Sequence, residues 1–295
     1  MRVNPNPLPD LLSALSQTQQ QINTDLADIA SGQSVNSPSD NPAAAAILVR
    51  NAGQTAEADQ FKRSVSSISG EMQNADSALS SVVTALQRAI SLGTEGANGT
   101  MNSANRNALA NEVQGIQSQL VSLANLSYQG NFVFAGTATQ TAPYVLDSTS
   151  ASGVKYVGND TVNKVTVGSS LTVDANIPGS QLFSAAGSDV FAALQNLVTG
   201  LQTGTNIDTA VNAVSAAYQN INAQRVTYGN TLNQLNAQQT YLSSETTQLA
   251  QQQDAVGGAD LSKVISDLVN AQTARQATLE AISQTQQTNL FNYIK

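Results

Sequence analysis

Ser152 and Lys155 stand three residues apart, the spacing at which some acylases set a nucleophilic hydroxyl beside a deprotonating amine. That chemistry requires the serine at a helix start with the lysine one turn on. Here the four residues lead into a strand-like run, where side chains three apart face opposite sides, so Ser152 reads as a turn residue. Asp254, Asp260 and Asp267 offer carboxylates for a cation, but they surround a predicted helix start, where acids cap free amides and favour the helix dipole. Capping is the preferred role. Gly93, Gly96 and Gly99 lack the strand-turn-helix setting of a phosphate loop and read as a turn between helices. The chain has no cysteine and no histidine, which removes a thiolate nucleophile, a serine-histidine relay, a disulfide framework and the usual zinc ligands. No catalytic, cofactor-binding or metal-binding residue can be named, and the expectation is a protein that is not an enzyme.

Charge narrows the partners. Twelve Lys and Arg against twenty Asp and Glu leave a formal net charge of -8, with no basic cluster to offset it. Counterion release from a polyanion has nothing to drive it, so nucleic-acid binding is not expected. No apolar run is long enough to span a bilayer, and Met1 to Ser16 lacks a basic region followed by a continuous apolar one. Neither membrane insertion nor a cleavable signal is expected. Charged residues are only 11% of the chain against 41% hydrophobic ones. A chain of that balance is either disordered or packs its surfaces against copies and partners, and its periodic apolar stripes favour packing.

The longest stripe steps four, three, four, three: Ile207, Val211, Val214, Tyr218, Ile221, Arg225, Tyr228, Leu232, Leu235, Gln239, Leu242, Thr246, Leu249. Only Arg225, Gln239 and Thr246 interrupt it. A seam held in phase for six heptads demands partner helices in a left-handed supercoil. At 1.5 Å per residue such a helix is a rod roughly 60 Å long. Arg225 either faces solvent or fixes register against an acid on a neighbouring helix, and the paired role is favoured. Tyr218, Tyr228 and Phe61 read as core.

Shorter stripes flank it. Leu8, Leu15, Ile22 and Ile29 are seven apart, with Leu12 and Leu26 widening the face. This helix should stop at Ser31-Gly32, and Asn41 should cap the next, with Pro42 at its first position. Val65 through Ala89 and Leu109 through Leu123 give two further stripes, the second running to about Tyr128-Gln129-Gly130. Between Gly136 and Gly187 the period changes, and Tyr144 to Leu146, Val154 to Val157, Lys164 to Val167 and Leu171 to Val173 read as strands of a small antiparallel module. Helical spacing returns at Val190, Leu194, Leu197 and Leu201, and a last helix carries Leu261, Val264, Ile265, Leu268, Leu279, Ile282, Leu290 and Tyr293.

The expected fold is mainly α, an elongated helical bundle or coiled coil formed by the N- and C-terminal regions, with a small antiparallel β insertion in the middle. Residues 1–40 and 255–295 would be terminal helices, 41–139 and 188–254 a helical rod, and 140–187 a β-rich insert. Two end helices alone make a thin bundle with apolar surface to spare. They are therefore expected to be poorly ordered in the free monomer and to order on assembly.

Three stretches resemble the flagellin superfamily and, within it, the hook-filament junction branch. Ile29 to Ala44 is similar to the N-terminal flagellin signature, a helix end, a Ser-Gly, an Asn-Ser and an acidic-Pro-Ala turn. Tyr128 to Tyr144, with its Phe134-Ala135-Gly136-Thr137 run and Pro143-Tyr144, resembles the junction-protein segment that leaves the helical core for the insert. Asp260 to Ile294, through Gln272, Gln276, Ala277, Leu279, Leu290 and Tyr293, resembles the family's C-terminal helix. The resemblance implies a structural subunit of the bacterial flagellum, exported through the flagellar type III channel and placed outside the cell between hook and filament. Its implied partners are its own copies in a ring, a hook-side junction protein, flagellin or another filament-side protein, and an export chaperone. Leu15, Ile22, Ile29, Leu261, Leu268 and Ile282 are the expected assembly interface. The alternatives are a short flagellin that forms the filament itself, or a secreted carbohydrate-binding or hydrolytic β insert on a helical stalk.

Overall fold

The computed structural model describes residues 8–293, with the side chains of residues 8–285. Leu290 and Tyr293, and the residues ahead of Leu8, therefore lie outside the described side chains. The helices are α1 (Leu8–Ser31), α2 (Pro42–Gly96), α3 (Ser103–Ala124), α4 (Gly179–Leu182), α5 (Val190–Thr203), α6 (Ile207–Gly257) and α7 (Leu261–Tyr293). Six short strands lie between α3 and α4: β1 (Ser127–Tyr128), β2 (Asn131–Phe132), β3 (Tyr144–Leu146), β4 (Val154–Tyr156), β5 (Lys164–Thr166) and β6 (Thr172–Asp174). The fold is mainly α with antiparallel strand pairs in the middle. It divides into two compact units, residues 1–57 with 244–295, and residues 58–243, and α2 and α6 contribute to both.

In the larger unit the stripe positions become the core. Val65, Ile68, Met72, Ala75, Leu79, Val82, Leu86 and Ala89 are all buried on α2, and α3 packs against α5. Along α6 the seam splits with period seven: Ile207, Val214, Ile221, Tyr228, Leu235, Leu242 and Leu249 are buried, and the stripe positions between them are half-buried. Gly93 and Gly96 are not part of a turn, as the sequence suggested, because α2 continues through them. A β-carbon at Gly93 would meet Val211 and Leu197, and one at Gly96 would meet Leu201. These glycines are spaces for neighbouring helices to enter, and only Gly99 lies in the turn.

Helix α3 also ends earlier than the stripe suggested, at Ala124. The side chain of Asn125 exchanges two hydrogen bonds with the Tyr144 backbone, at 2.8 and 2.9 Å, and so substitutes for the next helical turn. Gln129 and Gly130 then take positive φ values of 50° and 84°, the mirror-image two-residue loop whose twist suits a hairpin between β1 and β2. The strands form three separate antiparallel pairs, β1 with β2, β3 with β4, and β5 with β6. Two-stranded pieces are marginal alone. Here Phe134, Tyr144, Phe183 and Phe191 supply a shared aromatic core, with Phe134 edge-on to Phe183 at 5.4 Å and Tyr144 edge-on to it at 5.7 Å. The strand region is also tied to α6, where Gln238 donates to the Val167 carbonyl at 3.0 Å and the Tyr228 hydroxyl accepts from the Ile177 amide at 3.3 Å.

In the other unit α1 packs against α7. Helix α1 ends at Ser31, and Gly32 turns the chain with φ 69°. A short antiparallel clasp follows: the Ser34 amide donates to the Gly257 carbonyl at 2.7 Å and the Ala259 amide to the Gly32 carbonyl at 3.0 Å. Asn41 caps α2 by accepting from the Ala44 amide at 3.1 Å, and Asp260 caps α7 by accepting from the Ser262 and Lys263 amides at 3.1 and 3.2 Å.

Candidate assembly interface

The residues that suggested covalent chemistry are occupied structurally. The Ser152 hydroxyl donates to the Val154 carbonyl at 2.7 Å, and Lys155 lies exposed in β4. Among the described residues no group of three acidic or metal-ligating side chains is placed to hold an ion. Tyr228 is fully buried, and desolvation pushes its hydroxyl well above the ordinary tyrosine range. Arg225 pairs with Asp76 on α2, as its place in the seam suggested.

The distinctive surface belongs to α1 and α7. A heptad stripe turns part of each helix toward the other, but neither helix is wide enough to cover both apolar faces of its partner. Ile22 is 5% exposed and Ala271 9%, and they mark the covered side. Leu15, Ile29, Leu268 and Ile282 are half-buried, and Leu261 is exposed. The structure thus brings the expected interface residues onto one helix pair. It divides them between a covered flank and an open one.

The open flank is broader than heptad counting suggested. Leu12 and Leu26 on α1, fourteen residues apart and so on one face, are 51% and 49% exposed. On α7 a second stripe of Leu261, Ile265, Val269 and Leu279 is left outward, with Val269 at 56%. Val269 was not singled out from sequence. Its signal is the i, i+4, i+8 run from Leu261, one step round the helix from the stripe that faces α1. Grooves run on both sides of the pair. One, of about 390 Å3, is lined by Leu12, Leu15, Leu279 and Arg275 among polar residues. The other, of about 470 Å3, is lined by Gln17, Thr18, Gln21, Asp267, Asn270, Ala271 and Ala274. Exposed leucine, isoleucine and valine beside open grooves of mixed apolar and polar lining suit another helix rather than a small molecule.

One buried group was not foreseen. Asp25 is covered in α1; its Oδ1 accepts from Gln21 at 2.8 Å, and its Oδ2 has no hydrogen-bond partner. Among the described residues no helix is long and apolar enough to cross a membrane.

Residues 9–139 match the bacterial flagellin N-terminal helical region. The chain is 27% identical over 293 residues to flagellar hook-associated protein 3 of Escherichia coli, covering 90% of this chain and 91% of the relative. It is 28% identical to the protein of the same name from Salmonella typhimurium, covering 89% and 90%. Among solved structures it is similar to a flagellar hook-associated protein from Vibrio parahaemolyticus, with a TM-score of 0.68 and 22% identity over 74% of this chain and all of the other. It is also similar to Bacillus cereus FlgL, with a TM-score of 0.60 and 20% identity over 70% and 99% of the two chains. Along about nine-tenths of its length this chain is similar to flagellar hook-associated protein 3, and its residues 9–139 match the bacterial flagellin N-terminal helical region.

Proposed function

We propose that this chain is a structural, non-enzymatic subunit that joins the flagellar hook to the filament. Its work is adaptation between two surfaces: contacts to a hook-side junction protein below, to its own copies around a ring, and to flagellin or another filament-side protein above. The observation that carries this reading is the open apolar flank of α1 and α7, together with relatives whose name places them at the hook. Leu15, Ile22, Ile29, Leu261, Leu268 and Ile282, with the outward Leu12, Leu26, Ile265 and Val269, form the assembly surface. Residues 1–40 and 255–295 are the inner part of the assembly, 41–139 and 188–254 the rod, and 140–187 the outward insert. The chain reaches its place outside the cell through the flagellar type III route, held by an export chaperone.

The test uses the triple substitution Leu261→Asp, Ile265→Asp and Val269→Asp. All three side chains are exposed in the chain by itself, so its unfolding midpoint should stay near the native one, while swimming and the labelled spot at each filament base should be lost. Retained swimming would overturn the assignment. Truncating Leu268 to alanine should weaken the assembly by about 2 to 5 kcal/mol, the cost of removing a leucine from a closed core. Long fibres from purified protein alone would point instead to a filament-forming flagellin.

A further inference from the structure

The turn joining α2 to α3 contains Asn98-Gly99-Thr100, and Asn98-Gly99 is the one Asn-Gly pair in the sequence. All three residues are exposed. The Asn98 amide donates to the Glu95 carbonyl at 3.2 Å and the Met101 amide to the Asn98 carbonyl at 3.0 Å, so the turn is held at both ends. Within it, Asn98 Oδ1 accepts from the Thr100 backbone amide at 3.1 Å and from the Thr100 hydroxyl at 2.9 Å. A β-carbon on Gly99 would meet nothing within 4 Å beyond its chain neighbours, so no other part of the protein crowds the side-chain position of this glycine.

We propose that Asn98 is a site of spontaneous deamidation in the folded protein, with Thr100 holding the reacting oxygen. The Gly99 amide loses its proton to solvent hydroxide, and its nitrogen bonds to Asn98 Cγ. Charge develops on Oδ1, where two preset donors stabilise it in the manner of an oxyanion hole. The Cγ–Nδ2 bond breaks, the nitrogen takes a proton from water and leaves as ammonia, and a five-membered succinimide remains. Water then opens either carbonyl, giving aspartate or isoaspartate. The only co-reactant is water.

Other asparagines of similar sequence are held differently. Asn102 Oδ1 also accepts from a backbone amide, that of Asn105 at 2.8 Å, but no hydroxyl joins it, and Ser103 is the first residue of α3 and bears a side chain beside the attacking nitrogen. Asn36-Ser37 has its side-chain nitrogen donating to Asp28 Oδ1 at 2.7 Å and to the Gln33 carbonyl at 3.0 Å, which ties down the group that must leave. Deamidation at Asn98 adds one negative charge to the turn, and the isoaspartate product lengthens its backbone. Nearby, Arg106 holds the Met101 carbonyl at 2.6 Å.

The experiment ages the full chain at mildly alkaline pH, then maps peptides by mass spectrometry and counts isoaspartate by enzymatic methylation. Asn98 should convert well ahead of Asn36 and Asn102, with isoaspartate exceeding aspartate. Thr100→Val should slow conversion about fivefold, the equivalent of one hydrogen bond in the transition state, and Thr100→Ser should restore it. Circular dichroism of both variants should match the native chain. Conversion at Asn98 no faster than at the two control asparagines, or a Thr100→Val rate equal to the native one, would overturn the proposal.

Discussion

Arg225 grips Asp76 through two parallel hydrogen bonds, Nε to Oδ1 at 2.8 Å and Nη2 to Oδ2 at 3.1 Å, and so locks α6 to α2 at a single register. The pair takes one place in a seam that is otherwise largely apolar. A bidentate pair has an orientation that leucine lacks, so a one-heptad slide of α6 would leave both charges without partners.

Because the two side chains remain about a third exposed, at 27% and 34%, solvent screens the pair and its net contribution is small. Arg225→Ala should destabilise the larger unit by about 1 kcal/mol. The double change Arg225→Leu with Asp76→Leu should recover that loss or exceed it, since apolar replacements need no desolvation of charge. Urea unfolding of the single and double variants separates the two results. A double variant less stable than either single one would show that the pair adds net stability as well as register.

The glycines of α2 make a sharper packing prediction. Gly96 is buried and faces Leu201, itself fully buried. Gly96→Val therefore has to push a core leucine aside, and overpacking of this kind should cost about 1 to 3 kcal/mol. Gly96 is the last residue of α2, so helix propensity weighs little against this contact. A thermal melt that rises on Gly96→Val would mean that Leu201 has free space to retreat into.

How much of this was legible in the sequence depended on whether a residue acts through its own period or through a distant neighbour. The α6 seam was readable because burial follows the heptad itself, and Arg225 was readable because one charge in an apolar stripe demands a partner. Strands β3 to β6 announced themselves through valine, threonine and tyrosine between turn residues. Gly93 and Gly96 were misread because glycine marks a turn and a close helix contact equally well, and only Leu197, Leu201 and Val211 decide between them. The end of α3 was misplaced because Asn125 is no helix breaker until Tyr144 arrives to bond it. The interface was only partly legible for a related reason. Periodicity shows that α7 carries apolar positions but cannot tell the face that meets α1 from the face left open.

Glu71 gives a prediction in pH. Burial raises its carboxyl above the ordinary value of 4.5. A folded pKa above the unfolded one means that the folded state holds the proton more tightly, so stability is greatest below the ordinary value and is lost as pH rises through the raised one. Glu71→Gln mimics the protonated form. Its stability relative to the native chain should therefore improve as pH climbs from about 4 toward neutrality. Urea midpoints of both proteins across that range provide the check, and a difference independent of pH would place the Glu71 carboxyl in ordinary solvent.

The weakest part of the molecule should be α1, and Asp25 shows why. Of the described side chains on this helix only Ile22 and Asp25 are buried, whereas the shorter α3 buries Ala110, Val113, Ile116, Leu120 and Ala124. One buried isoleucine contributes about 1.5 to 3 kcal/mol. Leaving a buried acceptor such as Asp25 Oδ2 unsatisfied costs about 1 to 3 kcal/mol, which cancels most of that gain. Helix propensity alone does not hold a helix of this length in water, so α1 depends on a neighbour to cover Leu12 and Leu26. In the free monomer, backbone amides of α1 should exchange with solvent far sooner than those of the buried stripe on α2. Asp25→Leu should slow exchange across α1 roughly tenfold or more by removing about 1.4 kcal/mol or more of that penalty. Strong protection of α1 in the native monomer would mean that α7 alone suffices to order it, and assembly would then add contacts without adding folding.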